Sequence, residues 1–414
     1  MEEKEKSLQT TPFASRVFIG IFGRMNAGKS SLVNAFSGQG ISIVSDTPGT
    51  TTDVVKRPME IHGIGPCVLL DTAGFDDEGM LGSLRTEAAR RAAEKTDLAV
   101  ILFTGEEMER ELTWVKHFRE RKVPVVPVVS RCDELEEDER RELLGLVREK
   151  TGTAPVAVSS RTGEGLDELK EALIRSYKAP EEKRFILGNL VREKDVVMLV
   201  MPQDPQAPEG RLILPEVQTI REGLDRHCIL VCIQPEEMEG ALAALKEAPK
   251  LIVTDSQIFD RVYAMKPAES KLTSFSILFA GLKGDIGYYA ESAKAIDTLT
   301  EDSKVLIAEC CTHAPLDEDI GRVKIPAMLR KKTGQGLQVD ICAGVDFPEN
   351  VGDYDLVIQC GGCMFNRRFI LSRTDRARDA GVPMTNYGIA IAYMKGILDR
   401  VDLGRACEIG RAHV

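Results

Sequence analysis

A phosphate-binding loop constrains this chain more than any other feature of its sequence. Residues 23–30 read GRMNAGKS and directly follow a short apolar run at residues 17–22. The letters match the pattern G-x-x-x-x-G-K-[ST], which is built as a strand, a tight loop and a helix in that order. Glycines allow successive backbone N–H groups to face a phosphate, and the helix amino terminus adds positive potential. The predicted nucleotide contacts are Asn26, Ala27, Gly28, Lys29, Ser30 and Ser31.

Short apolar runs alternate with amphipathic helical stretches from residue 16 to residue 177. This alternation predicts an α/β P-loop domain with a doubly wound, mostly parallel sheet and helices on both faces. The predicted strands are 17–22, 67–70, 98–103, 123–129 and 156–158.

The length of 414 residues predicts two to three domains. A charged, Pro-containing linker at 178–184 ends the P-loop domain, and we expect two smaller α/β domains after it. The first, 185–271, has predicted strands at 196–200, 229–233 and 251–254. The second, 272–401, has predicted strands at 275–279, 304–309, 338–341 and 355–358. Residues 1–15 and 402–414, the latter including Cys407, are predicted tails.

The charge balance excludes some partners. Net charge is −11, which disfavours a nucleic-acid backbone as the main partner. Apolar runs fall far short of the roughly 20 residues that a membrane-spanning helix needs, and the charged amino terminus lacks the apolar core of a secretory signal. We therefore expect a cytoplasmic protein that spans no membrane. In that compartment clustered cysteines are candidates for metal or redox chemistry rather than disulfides.

Lys29 and Ser30 have predictable roles in hydrolysis. A lysine here pairs the β- and γ-phosphates, and the next serine supplies a Mg²⁺ ligand. The motif DTAG at 71–74 follows the second predicted strand. We expect Asp71 to orient Mg²⁺ through water and Gly74 N–H to meet the γ-phosphate, so Lys29 and Gly74 are the predicted catalytic residues.

Two further segments complete the predicted nucleotide site. The polar stretch at 46–53, DTPGTTTD, offers Thr51 to complete the Mg²⁺ shell. After the fourth predicted strand the chain reads SRCD, where Asp133 can accept from guanine N1–H and N2–H₂, a pairing that adenine does not offer. Ser130 stands where an asparagine amide is usual, so we expect one loop or base hydrogen bond to be lost. Ser159 and Ser160 match a motif whose backbone contacts the base.

Cysteines follow two predicted strands near the carboxyl terminus. CTH at 311–313 follows one, and CGGC at 360–363 follows another. Carboxyl ends of parallel strands meet at one edge of a sheet, so the two groups can converge on one metal. Three thiols suit an iron–sulfur cluster or, with His313, a Cys₃His zinc site. His313, Gln359 and Glu309 are all candidates for a fourth position, as is an exogenous ligand.

The residues GRMNAGKSSLVN, PGTTTD and DTAG resemble the bacterial GTPases of the TrmE–Era–EngA group. That resemblance implies that Asn26 binds a K⁺ ion in place of an arginine finger, so hydrolysis is expected to be K⁺-stimulated. Phe75 stands where Ras-like enzymes carry a water-orienting glutamine, which implies slow intrinsic hydrolysis and leaves the water-orienting residue unassigned.

Such a GTPase, joined to a middle α/β domain and a Cys-x-His and Cys-x-x-Cys arrangement, resembles the HydF family of [FeFe]-hydrogenase maturation GTPases. The resemblance implies a homodimer formed by the middle domain and a [4Fe–4S] cluster held by Cys311, Cys360 and Cys363. It further implies a transient di-iron precursor, two radical-SAM maturases as partners and delivery to apo-hydrogenase. Many family members have histidine where this chain has Gln359, so we expect the fourth iron site to be weakly ligated. The alternative is a tRNA-modification or ribosome-assembly GTPase with structural zinc.

Overall fold

The chain divides into two compact units, residues 1–181 and residues 182–414. A computed structural model describes residues 15–38, 55–72, 80–177, 184–202, 212–310, 319–344 and 346–404. Each unit is described by itself below. No helix within these residues is long and apolar enough to cross a membrane.

The amino-terminal unit is a six-stranded sheet with helices on both faces. Its strands are β1 (Val17–Phe22), β2 (Val55–Ile61), β3 (Gly65–Asp71), β4 (Leu98–Phe103), β5 (Val125–Ser130) and β6 (Val156–Val158). Its helices are α1 (Lys29–Ser37), α2 (Met80–Lys95), α3 (Glu109–Glu120), α4 (Glu137–Thr151) and α5 (Leu166–Ser176). The strand order is β2-β3-β1-β4-β5-β6, and only β2 runs antiparallel to its neighbour. The predicted doubly wound fold is confirmed, and the β2–β3 pair extends it.

Apolar side chains that point alternately to the two faces of β1 explain why helices cover both faces of the sheet. Ile19 and Ile21 pack into one hydrophobic cluster with Leu32 of α1, whereas Phe18 and Phe22 pack into another on the opposite face. Successive side chains of a strand point to opposite faces, so a strand that is apolar throughout must be covered on both. The phosphate-binding loop leaves β1 between its neighbours β3 and β4. Consecutive connections reverse direction there, which is where open α/β sheets bind ligands.

The carboxyl-terminal unit contains two four-stranded parallel sheets. Strands β7 (Val196–Val200), β8 (Ile229–Ile233), β9 (Leu251–Thr254) and β10 (Lys271–Ser274) form the first, in the order β10-β9-β7-β8. Strands β11 (Lys304–Ala308), β12 (Gln338–Cys342), β13 (Leu356–Gln359) and β14 (Met384–Asn386) form the second, in the order β12-β11-β13-β14. The helices are α6 (Leu214–Asp225), α7 (Met238–Ala244), α8 (Phe259–Met265), α9 (Phe275–Lys283), α10 (Ile286–Ser292), α11 (Ile325–Thr333), α12 (Arg367–Asp379) and α13 (Tyr387–Met394).

One prediction in this unit is wrong. Residues 275–279, expected to be a strand, begin helix α9. The run FSILFAGLK is apolar nearly all round, and such a run does not distinguish a buried strand from a buried helix. The Ser274 side chain accepts a hydrogen bond from Ile277 N–H, which caps the helix and fixes its start.

The first sheet also extends beyond its predicted end. Strand β10 pairs in parallel with β9, so the expected boundary between 271 and 272 cuts through a strand of the first sheet. A single hydrophobic cluster contains Met198 and Ile252 from this sheet and Leu306 and Ile358 from the second. The two sheets therefore share one core, and we propose that the middle domain ends after α9.

Candidate nucleotide site and cysteine site

The phosphate-binding loop adopts the conformation that its glycine pattern predicts. Gly28, with φ +88°, lies in the left-handed region just before α1, as does Asn26 with φ +61°. Lys29 is only 7% exposed. Its Nζ donates to the carbonyl oxygens of Gly23 over 2.9 Å and of Arg24 over 2.6 Å. The ammonium is thus held inside the loop, where a phosphate would lie.

Ser30 and Asp71 meet beside this loop. Burial raises the pKa of the Asp71 carboxyl, and a hydrogen bond from the Ser30 side chain and the charge of Lys29 oppose that effect. Asp71 Oδ1 is buried and has no hydrogen-bond partner within the described residues. An unpartnered buried carboxylate oxygen beside a hydroxyl is the donor set that Mg²⁺ prefers. These two residues fit the predicted metal.

An ion pair between Arg24 and a buried carboxylate holds the loop from outside. Arg24 Nε lies 3.0 Å from Glu111 Oε1, and the Glu111 side chain on α3 is only 2% exposed. Arg24 Nη2 also donates to the Glu107 carbonyl. Charges buried in this way must be paired, so the contact fixes the loop's second residue to α3. Sequence reasoning missed this pair, because nothing in the motif marks a variable loop position as an ionic anchor.

The segment predicted to recognise the base lies after β5. Ser130 Oγ donates to the Ala27 carbonyl over 2.8 Å, so the hydrogen bond to the phosphate-binding loop is kept and only a contact to the base can be missing. Hydrogen bonds from Ser159 and Arg161 lower the pKa of Asp133. The Arg161 guanidinium pairs with Asp133 Oδ2. A carboxylate held ionised here presents an acceptor to guanine. Of the remaining predicted contacts, Ser31 is exposed and Ser160 is partly buried.

Thr51, Gly74 and Phe75 lie outside the described residues. The roles predicted for Thr51 in Mg²⁺ binding and for Gly74 in hydrolysis therefore stay predictions.

The cysteine site lies at the carboxyl ends of β11 and β13. These adjacent strands flank the point where the connections of the second sheet reverse direction. Cys310 N–H donates to Cys360 Sγ over 3.1 Å, so the ends of the two strands touch. Hydrogen bonds from Cys310 and Gly362 lower the pKa of Cys360, against the effect of burial. A thiol that readily becomes a thiolate is what a soft metal requires.

Gly362 makes the tight turn that the CGGC spacing predicts. Its φ is +61°, and an added Cβ would lie 2.5 Å from Ile370 Cδ1. Both facts favour glycine at this position. The turn allows Cys360 and Cys363 to lie on one short loop after β13.

Two buried cations contact this region, and sequence reasoning missed both. Arg373 is 1% exposed, and its guanidinium donates to Cys310 Sγ over 3.6 Å and to the Gly344 carbonyl over 2.7 Å. Lys283, 6% exposed, donates from Nζ to three carbonyl oxygens of residues 362–365. Lys283 closes an otherwise apolar run, which is a usable signal. Arg373 is one of several arginines on α12 and carries no such signal.

The candidates for a fourth ligand differ in their surroundings. Glu309 Oε2 accepts two hydrogen bonds from Arg322, over 3.0 and 2.9 Å. Gln359 is 1% exposed, and its Oε1 has no partner within the described residues. Cys311 and His313 lie outside those residues. Within the described part of the chain no three potential ligands cluster for a metal, so the set Cys311, Cys360 and Cys363 stays a prediction.

Three family models match the chain. Residues 18–131 match a 50S ribosome-binding GTPase family, 186–284 match a hydrogen maturase F dimerization domain, and 287–402 match a hydrogen maturase F tetramerization domain. The amino-terminal unit is therefore a P-loop GTPase domain, which uses GTP and Mg²⁺. The two other matches support oligomer formation.

Curated relatives match mainly the GTPase domain. The tRNA modification GTPase MnmE of Chromobacterium violaceum is 35% identical over 170 residues, which cover 40% of this chain and 36% of that protein. MnmE of Synechococcus sp. is 37% identical over 160 residues, which cover 38% and 33%. The chain thus spans about a third of the length of these relatives.

A solved structure of the G domain of the Thermotoga maritima FeoB iron transporter is 27% identical, with a TM-score of 0.30, and the match covers 39% of this chain and 99% of that one.

Proposed function

We propose that this chain, which belongs to the hydrogen maturase F family, is a GTP-hydrolysing scaffold for metallocofactor assembly. It binds a [4Fe–4S] cluster and the di-iron precursor of the [FeFe]-hydrogenase active site, and it delivers that precursor to apo-hydrogenase. The observation that carries this proposal is a Cys-x-x-Cys loop at the binding edge of a second α/β sheet, in the same chain as a complete phosphate-binding loop.

GTP hydrolysis by the amino-terminal unit controls when the precursor is delivered. Lys29 neutralises phosphate charge, and Ser30 with Asp71 holds Mg²⁺, which supplies charge stabilisation when bound. We further propose that Asn26 binds K⁺ and that hydrolysis is slow without it. GTPase rates measured in K⁺ and Na⁺ buffers test this, since equal rates would contradict it.

The cysteine site holds the cluster. Cys360 and Cys363 supply two thiolates from one loop, and Cys311 supplies the third. Three cysteines would leave one iron of a bound [4Fe–4S] cluster without a cysteine ligand, and that position would be open to a precursor. Gln359, whose Oε1 has no partner within the described residues, offers only a neutral amide oxygen, and Glu309 is engaged by Arg322, so we expect that position to be weakly ligated.

We propose a cytoplasmic homodimer formed through the middle domain, with two radical-SAM maturases and apo-hydrogenase as partners. Support comes from the edge strand β8, where Ile229 is 54% exposed, and from Val217 and Leu224 on α6, which are 46% and 57% exposed. Exposed apolar groups beside an unpaired strand edge are typical of a protein interface.

The testing experiment is iron and sulfide analysis with EPR on protein purified and reconstituted without oxygen. Wild type is compared with Cys363→Ser and, as a matched control, with Cys228→Ser, a buried cysteine beside the first sheet. We expect a reducible four-iron cluster that is lost or altered only in Cys363→Ser. One zinc per chain and no iron would instead favour a tRNA-modification or ribosome-assembly GTPase with structural zinc, which the MnmE relatives support for the amino-terminal unit.

A second variant tests the timing role. Lys29→Ala should abolish hydrolysis and slow both partner release and hydrogenase activation. Wild-type rates of release and activation in a variant without hydrolysis would overturn the timing role and leave the scaffold role intact.

A further inference from the structure

We propose that Lys283 is a positioning residue that anchors the Cys360–Cys363 loop and raises the reduction potential of the cluster bound there. The part that concerns the potential rests on the proposed function, whereas the anchoring does not.

Three hydrogen bonds define the anchor. Lys283 Nζ donates to the carbonyl oxygens of Gly362 over 2.9 Å, Cys363 over 3.1 Å and Phe365 over 2.8 Å. An ammonium group has three N–H donors, so it can make all three bonds at once. The Gly362 carbonyl also accepts from Phe365 N–H over 3.1 Å, so the turn that carries Cys363 closes on itself and on the ammonium.

The surroundings of Lys283 keep its charge in place. It is the last residue of α9, where the helix carboxyl terminus presents negative potential that favours a cation. Its Nζ also lies 5.6 Å from the centre of the Phe279 ring. Arg367 caps the same helix end by donating to the Lys283 carbonyl over 3.2 Å. A side chain only 6% exposed gains no solvation from water here, so these contacts determine where the charge lies.

The anchor crosses from one part of the unit to another. Lys283 belongs to the segment that matches the dimerization domain, which ends at residue 284. The loop it holds belongs to the segment that begins at 287. Lys283 of α9 thus fixes the geometry of the cysteine loop, and its ammonium lies 3.1 Å from the carbonyl oxygen of Cys363. A nearby positive charge stabilises the reduced, more negative state of a cluster, which raises its potential.

The test uses the full chain with Lys283→Met, a substitution that keeps a long unbranched side chain and removes its charge. Lys283→Gln is a second neutral variant that can still donate to carbonyls. The matched control is Lys266→Met, because Lys266 Nζ also donates to two backbone carbonyls, of Pro267 and Ser270, in the same unit. Circular dichroism establishes that each variant folds.

The first measurement is made before iron is added. Hydrogen–deuterium exchange of the backbone amides of residues 362–366, followed by peptide mass spectrometry, should become about tenfold faster in Lys283→Met, because the loss of three hydrogen bonds frees the loop. It should stay at the wild-type rate in Lys266→Met. An unchanged rate in folded Lys283→Met would overturn the anchor, whatever the protein binds.

The second measurement is an EPR-monitored redox titration after anaerobic reconstitution. The midpoint potential should fall in Lys283→Met and Lys283→Gln and should not move in Lys266→Met. If Lys283→Met does not fold, Lys283→Gln decides the outcome. A midpoint potential of Lys283→Gln equal to that of wild type would show that the Lys283 charge does not raise the potential. Wild-type protein that binds no iron would refute the proposed function, and the hydrogen-exchange result would still decide the anchor.

Discussion

Ser130 Oγ donates a hydrogen bond to the carbonyl oxygen of Ala27 over 2.8 Å, so the end of β5 and the phosphate-binding loop are joined directly. Ser130 is 7% exposed, and its hydroxyl also lies 3.4 Å from the Phe103 carbonyl at the end of β4. The residue expected to lose a hydrogen bond relative to asparagine therefore keeps the one that shapes the loop. We expect this single hydroxyl to couple the segment predicted to recognise the base to the phosphate-binding loop.

Ser130→Ala should weaken GTP binding about fivefold, because removing one buried hydrogen bond costs about 1 kcal/mol. Binding is measured with a fluorescent GTP analogue. The control is Ser37→Ala, which removes the bond from a serine hydroxyl to the Val33 carbonyl at the far end of α1. Equal affinities of wild type and Ser130→Ala would mean that the contact does not shape the loop.

Asp133→Asn should change the preferred base from guanine to xanthine. The carboxylate accepts from the N–H groups of guanine, whereas an amide can donate to the extra carbonyl of xanthine. The variant should bind GTP at least tenfold more weakly and xanthosine triphosphate more tightly than wild type, as competition against the fluorescent analogue will measure. Glu134→Gln, the same chemical change one residue later, should leave the preference as it was. A variant that still preferred guanine would remove Asp133 from base recognition.

Stability of the amino-terminal unit should fall in acid because of His117. Burial, with the nearby charge of Arg121, lowers the pKa of His117. The unfolded chain therefore takes up this proton more readily than the folded one. His117 therefore leaves the free energy of unfolding at its highest above the unfolded pKa of about 6.5. That free energy falls as pH drops below this value, until pH has passed the lower folded pKa.

Trp114 fluorescence can follow this loss, because Trp114 is the single tryptophan of the chain and its ring lies 5.5 Å from that of His117. The free energy of unfolding, measured in urea at pH 7.5 and pH 5, should differ less between the two pH values in His117→Gln than in wild type. The control, His62→Gln, changes an exposed histidine of the same unit. If the free energy of unfolding depended on pH equally in all three proteins, His117 would be excluded as the source of that dependence.

Ile229→Lys should shift the protein from dimer towards monomer. Burying an isoleucine contributes about 1.5–3 kcal/mol, so a charge at this edge should weaken dimerisation more than tenfold. Light scattering after size exclusion measures the mass across a dilution series. Ile341→Lys is the control, because Ile341 is 41% exposed on β12, an edge strand of the other sheet. A dimer that persists in Ile229→Lys and dissociates in Ile341→Lys would move the interface to that sheet.

Much of the fold follows from local signals in the sequence. The β1 strand, the glycine loop and α1 were predictable because one short motif specifies strand, turn and helix together. The structure of residues 275–283 was not predictable, since their apolar residues fit the periodicity of a strand and that of a helix. Only the Ser274 cap and the surrounding core select the helix. Strand β10 is four residues long, and only its pairing with β9 identifies it.

The sequence by itself determined which chemistries this protein can carry, because the residue types in GRMNAGKS, DTAG and CGGC are fixed by phosphate, Mg²⁺ and thiolate chemistry at short range. Tertiary structure alone decided which groups support them. Glu111 reaches Arg24, Ser130 reaches Ala27, and Lys283 reaches Cys363 across 87, 103 and 80 residues of chain. Such contacts depend on how strands are ordered and helices packed, and that order arises from the burial of the whole core rather than from any local pattern.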